Sequence, residues 1–537
     1  MILKKTAALL AALALIGAAP VEAPLDASAN RIRADVQFLS SDELEGRDTG
    51  SVGYRIAAQY VASQFAANGL KPGGAKDSWF LDVPFRRATH VGEPKVAVKM
   101  NGSAVPLAFG KDVAIRPSLT EQHRALEVGL VFAGQGINDP VLGINDYAGV
   151  DARGKIALVV EGTPAGVPSE VGAHLQSSKA AMALRAGAIG VIILPIKDSG
   201  AARVGNYAKV PILDWHDASG QTGDAGILKA TMAISAGAAQ QLLQGSAWTF
   251  DRIKAAYSNK QKIAAFALPA QLSVQADSVW QDFTSPEVIG VLPGSDPSLA
   301  AQHVVLMGHL DHLGVKPDAK PGEDRIYNGA LDNAAGVATM LEVARKFASA
   351  PKAARRSLMF IANTGEERGL LGADYFASHP TVPAESIVGL VDLDMPLLLY
   401  DFTDVAAFGA EHSTIARTAA AASESMGIKI SPDPMPEQTL FVRSDHYRFV
   451  LRGVPAVFLM TGFANGGKKA YADYFARGYH AVNDDMRQPI RWAAGGRYAE
   501  LNYRISRALA DADARPMWYS GDYFGDRFAP GQAKAAK

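Results

Sequence analysis

The chain has 537 residues, of which 48% are hydrophobic and 20% charged, and its 53 Lys and Arg nearly balance 54 Asp and Glu. Such a balance leaves no polybasic footprint for nucleic acid or an anionic membrane surface. The absence of cysteine excludes a disulfide framework, thiolate metal ligands and cysteine nucleophiles, so stability must come from a large apolar core.

The chain opens with Lys4 and Lys5, an apolar run over 7–19, and the small-residue site Val21-Glu-Ala23. This predicts a secretory signal peptide over residues 1–23 and an exported protein, periplasmic or secreted, without a membrane span in its mature form. A helix is predicted over 54–68, ending at Gly69-Leu-Lys-Pro72. From about Leu119 to about Ala270 the pattern changes to short strands and glycine turns, with strands expected near 128–133, 155–160 and 187–194 and a helix over 179–186; this reads as an inserted domain. Beyond it, short apolar runs at 304–307, 358–362 and 387–391 read as buried parallel strands. They end just before His309, Glu366 and Asp394, where an open α/β sheet places its sites. Asp332 opens a predicted helix over 333–349, a position that also suits a helix cap. Residues 453–458 read as a further strand, and the aromatic tail Trp518, Tyr519, Tyr523 and Phe524 is expected to pack back on the body.

The pair Glu366-Glu367 carries the most chemistry. A Glu-Glu pair alone is usually a solvated face, but this one lies among His309-Leu-Asp311, Asp332-Asn333, Asp394 and His480. A two-metal hydrolase needs one carboxylate to bridge the ions and a His and a carboxylate to complete each shell. The set supplies these and leaves one carboxylate free to move a proton.

The segments 303–314, 328–336, 364–372 and 391–395, with Tyr479-His480, resemble the co-catalytic zinc aminopeptidases of metallopeptidase family 28. The resemblance implies an α/β fold, a mixed, largely parallel sheet flanked by helices, with a smaller α/β protease-associated domain at 119–270 inserted into a discontinuous peptidase domain, 24–118 and 271–537. It implies two Zn2+ ions per chain: Asp332 bridging, His309 and Asp394 completing one ion, Glu367 and His480 the other. Glu366 becomes the general base, and Asp311 the acid that orients the His309 imidazole. Asp392 departs from the Asn common in the family. Arg443 and Asp445, in the Arg-Ser-Asp-His segment, are candidates for contacting substrate termini, with a surface ion pair as the plain alternative. His312 and His446 occupy no ligand position, and Asp484-Asp485 suits a loop clasp or, more simply, a helix cap. The inserted domain is expected to shape the substrate entrance. The implied activity is removal of N-terminal residues from peptides. The rivals are a carboxypeptidase of the same family and, in other classes, a glutaminyl cyclase or a non-catalytic binding module. Oligomeric state is not legible in the sequence.

Overall fold

Four aliphatic runs, buried on both faces, make the centre of the fold. Strand His303–His309 lies between Ser357–Asn363 and Ile387–Asp392, and Ala456–Thr461 follows, all parallel. Every residue of the last three is buried, as a parallel sheet covered by helices requires. Antiparallel strands flank this core, Asp404–Phe408 beside Ala456–Thr461 and Phe266–Leu292 beside Ser357–Asn363. The result is the expected mixed, largely parallel sheet. The computed structural model describes residues 25–537; the expected signal segment lies outside them. Among the described residues no helix is long and apolar enough to cross a membrane.

Helices Ala27–Leu39, Ala335–Ala348 and Trp492–Asp511 pack on one another, and the last two also on the central strand. The helix expected over 54–68 spans Val52–Ala67. Trp518 and Phe524 are buried in the main core, so the tail packs back as its aromatics suggest.

A second core draws on residues from Val96 to Ala276. Strands Val113–Ile115, His123–Phe132, Ile156–Val160, Gly190–Leu194 and Ala230–Ile234 enclose Phe132, Leu158, Ile192 and Met232. One strand was not anticipated in its full length. Phe266–Leu292 pairs with His123–Phe132 in the second core, with Phe80–Met100 along most of its course, and with Ser357–Asn363 in the first. The position 270/271, where the sequence pattern changes, therefore falls inside one continuous strand. Its signal was present as strict alternation: Leu272, Val274 and Ala276 are buried while Gln271, Gln275 and Asp277 are exposed.

Three contacts seat the insertion against the sheet. Strand Ile212–Trp215 pairs with Phe80–Met100, and Trp215 Nε1 donates to Asp374 Oδ2 at 2.8 Å. His174 lies edge-on to Phe528 and Phe524 and meets Tyr447 Oη. His412 joins Glu170 of the insertion, at 3.0 Å, to Asp522 of the tail, at 2.6 Å.

Candidate metal centre

The sheet delivers the site at its carboxyl edge. His309 is the last residue of its strand, Asp394 lies two residues past Asp392, and Glu366-Glu367 occupy the turn between Asn363 and helix Leu371–Ser378. Asp332 sits in an irregular turn, Ala330–Ala334, so the helix begins at Ala335 and not at 333. The Asp332–Asn333 peptide is cis. Asp332 does not cap the helix. Asn333 Oδ1 accepts from Gly336 N–H and Met395 N–H, both at 3.0 Å, and does the capping. Asp332 thereby keeps both oxygens for the cleft.

Those two oxygens face different partners. Asp332 Oδ1 is 3.3 Å from His309 Nε2, which is itself 3.1 Å from Asp394 Oδ1. Asp332 Oδ2 is 3.4 Å from His480 Nε2, which is 3.2 Å from Glu367 Oε2. Four bonds of about 2.0–2.1 Å in a tetrahedron put ligand atoms about 3.3 Å apart, so the spacing fits two ions sharing Asp332. His312 is different. Its Nδ1 meets Glu367 Oε1 at 2.6 Å, too close for two ligands of one ion and right for a hydrogen bond that orients Glu367.

The charges also ask for cations. Burial, opposed by His309 and reinforced by the nearby carboxylates, pushes the Glu366 carboxyl well above its usual range. Burial likewise raises Asp394. Against burial, hydrogen bonds from His309 and His480 hold Asp332 well below the usual range. Burial would lower His480, yet Asp332 and Glu367 raise it to about 10. Protons balance the acids here, and divalent ions can replace them.

Three expectations change. The Asp311 carboxylate does not hold the His309 imidazole. His309 Nδ1 meets the Asp311 backbone carbonyl at 3.1 Å, while the carboxylate accepts from Glu366 N–H at 3.2 Å and Thr49 Oγ1 at 3.1 Å. It fixes the Glu366 backbone instead. Asp445 is fully buried beside Glu287 and is not on the cleft wall, so neither substrate contact nor a surface ion pair describes it. Its segment turns inward there, and burial raises its carboxyl well above the usual range. Asp484 caps no helix: its carboxylate accepts from Leu331 N–H and Asp332 N–H and from Tyr474 Oη, clasping the Asp332 turn. Arg443 does reach the mouth, exposed and 3.3 Å from Tyr479 Oη.

Two contributors escaped sequence reasoning. Ser444 Oγ lies 2.7 Å from both Asp392 Oδ2 and Asp394 Oδ2. Asp392 also accepts from His446 N–H at 3.1 Å. Arg47 is buried and donates to the carbonyls of Leu310, Asn328 and Gly329, joining the loops that carry His309 and Asp332. Distance in sequence hid it, and so did its setting, since a Gly-Arg pair after an acidic run reads as surface.

The cleft holds about 370 Å³, with the ligand set on one side and Met395, Leu440, Phe458, Met460 and Phe475 among its apolar walls. The sequence model of peptidase family M28 matches residues 287–506. A probable leucine aminopeptidase 2 of Aspergillus oryzae is 28% identical over 245 residues, 42% of this chain and 45% of that protein. A probable zinc metalloprotease of Pyrenophora teres f. teres is 37% identical over 110 residues, 20% of this chain and 22% of its own length. The chain thus covers less than half the length of these relatives. An aminopeptidase structure from Aneurinibacillus sp. strain AM-1 superposes with a TM-score of 0.48 at 20% identity, covering 91% of this chain and 95% of that one. From the family match, which spans every side chain of the proposed ligand set, this chain carries a peptidase family M28 domain over residues 287–506.

Proposed function

We propose that the protein is an exported exopeptidase with two zinc ions, and specifically an aminopeptidase. The observation that carries this reading is the division of Asp332, one oxygen toward His309 and Asp394 and the other toward His480 and Glu367. His309, Asp394 and Asp332 would hold one ion, His480, Glu367 and Asp332 the other. Zinc in such a site supplies Lewis acidity, activating water near neutral pH and stabilising negative charge on a carbonyl oxygen. Glu366 is the carboxylate of the cleft left without a histidine, and its backbone is fixed by Asp311. It takes the proton from the attacking water and returns it to the leaving amine. The apolar wall of Met395, Phe458 and Met460 receives the N-terminal side chain. The relatives named leucine aminopeptidase and zinc metalloprotease support the same chemistry. The insertion, read as a protease-associated domain, narrows the approach, and residues 1–23 direct export.

The test is to incubate the zinc-loaded mature protein with one peptide free at both ends and with the same peptide blocked at its N-terminus. Stepwise loss from the free N-terminus alone, abolished by chelator and restored by zinc, is the expected result. Loss from the C-terminus of both peptides makes the protein a carboxypeptidase. No cleavage with two bound zincs returns it to a cyclase or a binding module.

A further inference from the structure

A second cavity, of about 620 Å³, lies between the insertion and the catalytic turn. Glu367 lines both this cavity and the metal cleft, and Arg368 follows it on the cavity wall. The volume suits an extended ligand of several residues or a drug-sized molecule. The Glu367-Arg368 turn is thus the element that borders both spaces.

The cavity's charge is unusual. Arg368 is spoken for by Asp48, and Asp224 by Arg448 at 2.7 Å. Arg87 and Arg116 are not. Arg87 stands over the Phe283 ring at 5.6 Å and Arg116 over the Tyr207 ring at 4.3 Å, and neither guanidinium has an ion pair or hydrogen bond to any described residue. Each guanidinium carries five N–H donors in a rigid fork. With the aromatic rings as their neighbours, both guanidinium groups keep these donors available, and such a fork suits a two-point grip on a carboxylate. Their positions come from paired elements: Arg87 sits opposite Leu213 in the strand pair that docks the insertion, and Arg116 follows strand Val113–Ile115 and is tied by its N–H to Thr231 O.

We propose that a peptide whose reacting bond sits at the metal cleft continues past the Glu367-Arg368 turn into this cavity, where Arg87 and Arg116 bind a carboxylate on the leaving side of the scissile bond, so that the enzyme prefers peptides that present a carboxylate there. The inference rests on the peptidase reading above and adds its substrate class. The carboxylate can be a Glu or Asp side chain or the peptide's own C-terminus, and the assay separates them.

The experiment compares short peptides that share an N-terminal residue and carry Glu or Gln downstream, each with a free or an amidated C-terminus. The proteins are the zinc-loaded wild type, Arg87→Ala, Arg116→Ala and the double variant. For the wild type, kcat/KM should favour the carboxylate-bearing member by about tenfold or more, the range of a charge-assisted hydrogen bond, and the preference should shrink with added salt. In the double variant the ratio should fall to about one. A Glu over Gln preference identifies the side chain; a preference for free over amidated ends identifies the terminus. A wild-type ratio of one, or a preference that survives in the double variant, overturns the proposal. Hydrolysis of an amino-acid amide, which has nothing to place in the cavity, reports on the metal centre separately. If no peptide is cleaved, the same ratio is read from calorimetric Kd values on the zinc-loaded protein, and equal values overturn the proposal.

Discussion

Replacing Asp484 by Ala tests whether the Asp332 turn is held from behind. The side chain is fully buried, and its oxygens accept from Leu331 N–H at 3.0 Å, Asp332 N–H at 2.9 Å and Tyr474 Oη at 3.0 Å. Asp484→Ala leaves three buried donors without an acceptor, and each such group costs about 1–3 kcal/mol, an upper bound of about 9 kcal/mol. Two effects reduce it. Water can enter the vacated space, and a carboxylate that repels Asp332 is lost; burial, with Asp332 adding to it, already pushes the Asp484 carboxyl up to about 6. We expect a destabilisation of about 3 kcal/mol, together with zinc affinity reduced about 10–100-fold, as for other groups that support a metal ligand. Asp484→Asn keeps one acceptor oxygen and should lose less. Urea unfolding of the metal-free protein measures the first quantity, and competition with a chromogenic chelator the second. If Asp484→Ala matches the wild type in both, the clasp has no energetic role and the turn is held by other contacts.

Glu366→Gln should retain zinc and lose about 10²–10⁴-fold in kcat; near-normal turnover at full metal content would remove Glu366 as the base. His174 predicts acid sensitivity of the docked insertion. Burial lowers this imidazole to about 4, against about 6.5 when unfolded. Its folded pKa is depressed, so the stability is intact above about 6.5 and is lost as pH falls toward about 4, by about 3 kcal/mol in all. His174→Phe should flatten that part of the stability profile, followed by thermal unfolding from pH 7 to 4; an unchanged acid limb would show that His174 does not govern it.

Much of the site was legible because its parts are local. Metal chemistry restricts ligands to a few residue types, and the runs before His309, Glu366 and Asp394 have the continuous apolar character of strands buried on both faces. A strand end fixes where the next residue points, so those motifs carry their geometry with them. Asp332 was harder. A carboxylate at a helix start has a capping use in any sequence, and only the neighbouring Asn333, with Oδ1 on Gly336 and Met395, shows which residue takes it.

The sequence by itself determined the chemistry available: no thiolates, a His and carboxylate set with one acid to spare, and a sheet whose carboxyl ends would gather it. Tertiary structure alone decided how that set is held. Asp484 meets the Asp332 turn across about 150 residues of chain, and Arg47 reaches Leu310 and Gly329 across still more. Asp311 turns its carboxylate to Glu366 instead of His309, and Asp445 goes inward while Arg443, two residues away, stays at the mouth. These outcomes depend on which donors and which apolar surfaces arrive from distant segments. A buried polar group takes the partner that packing brings within reach, and no local pattern encodes that partner.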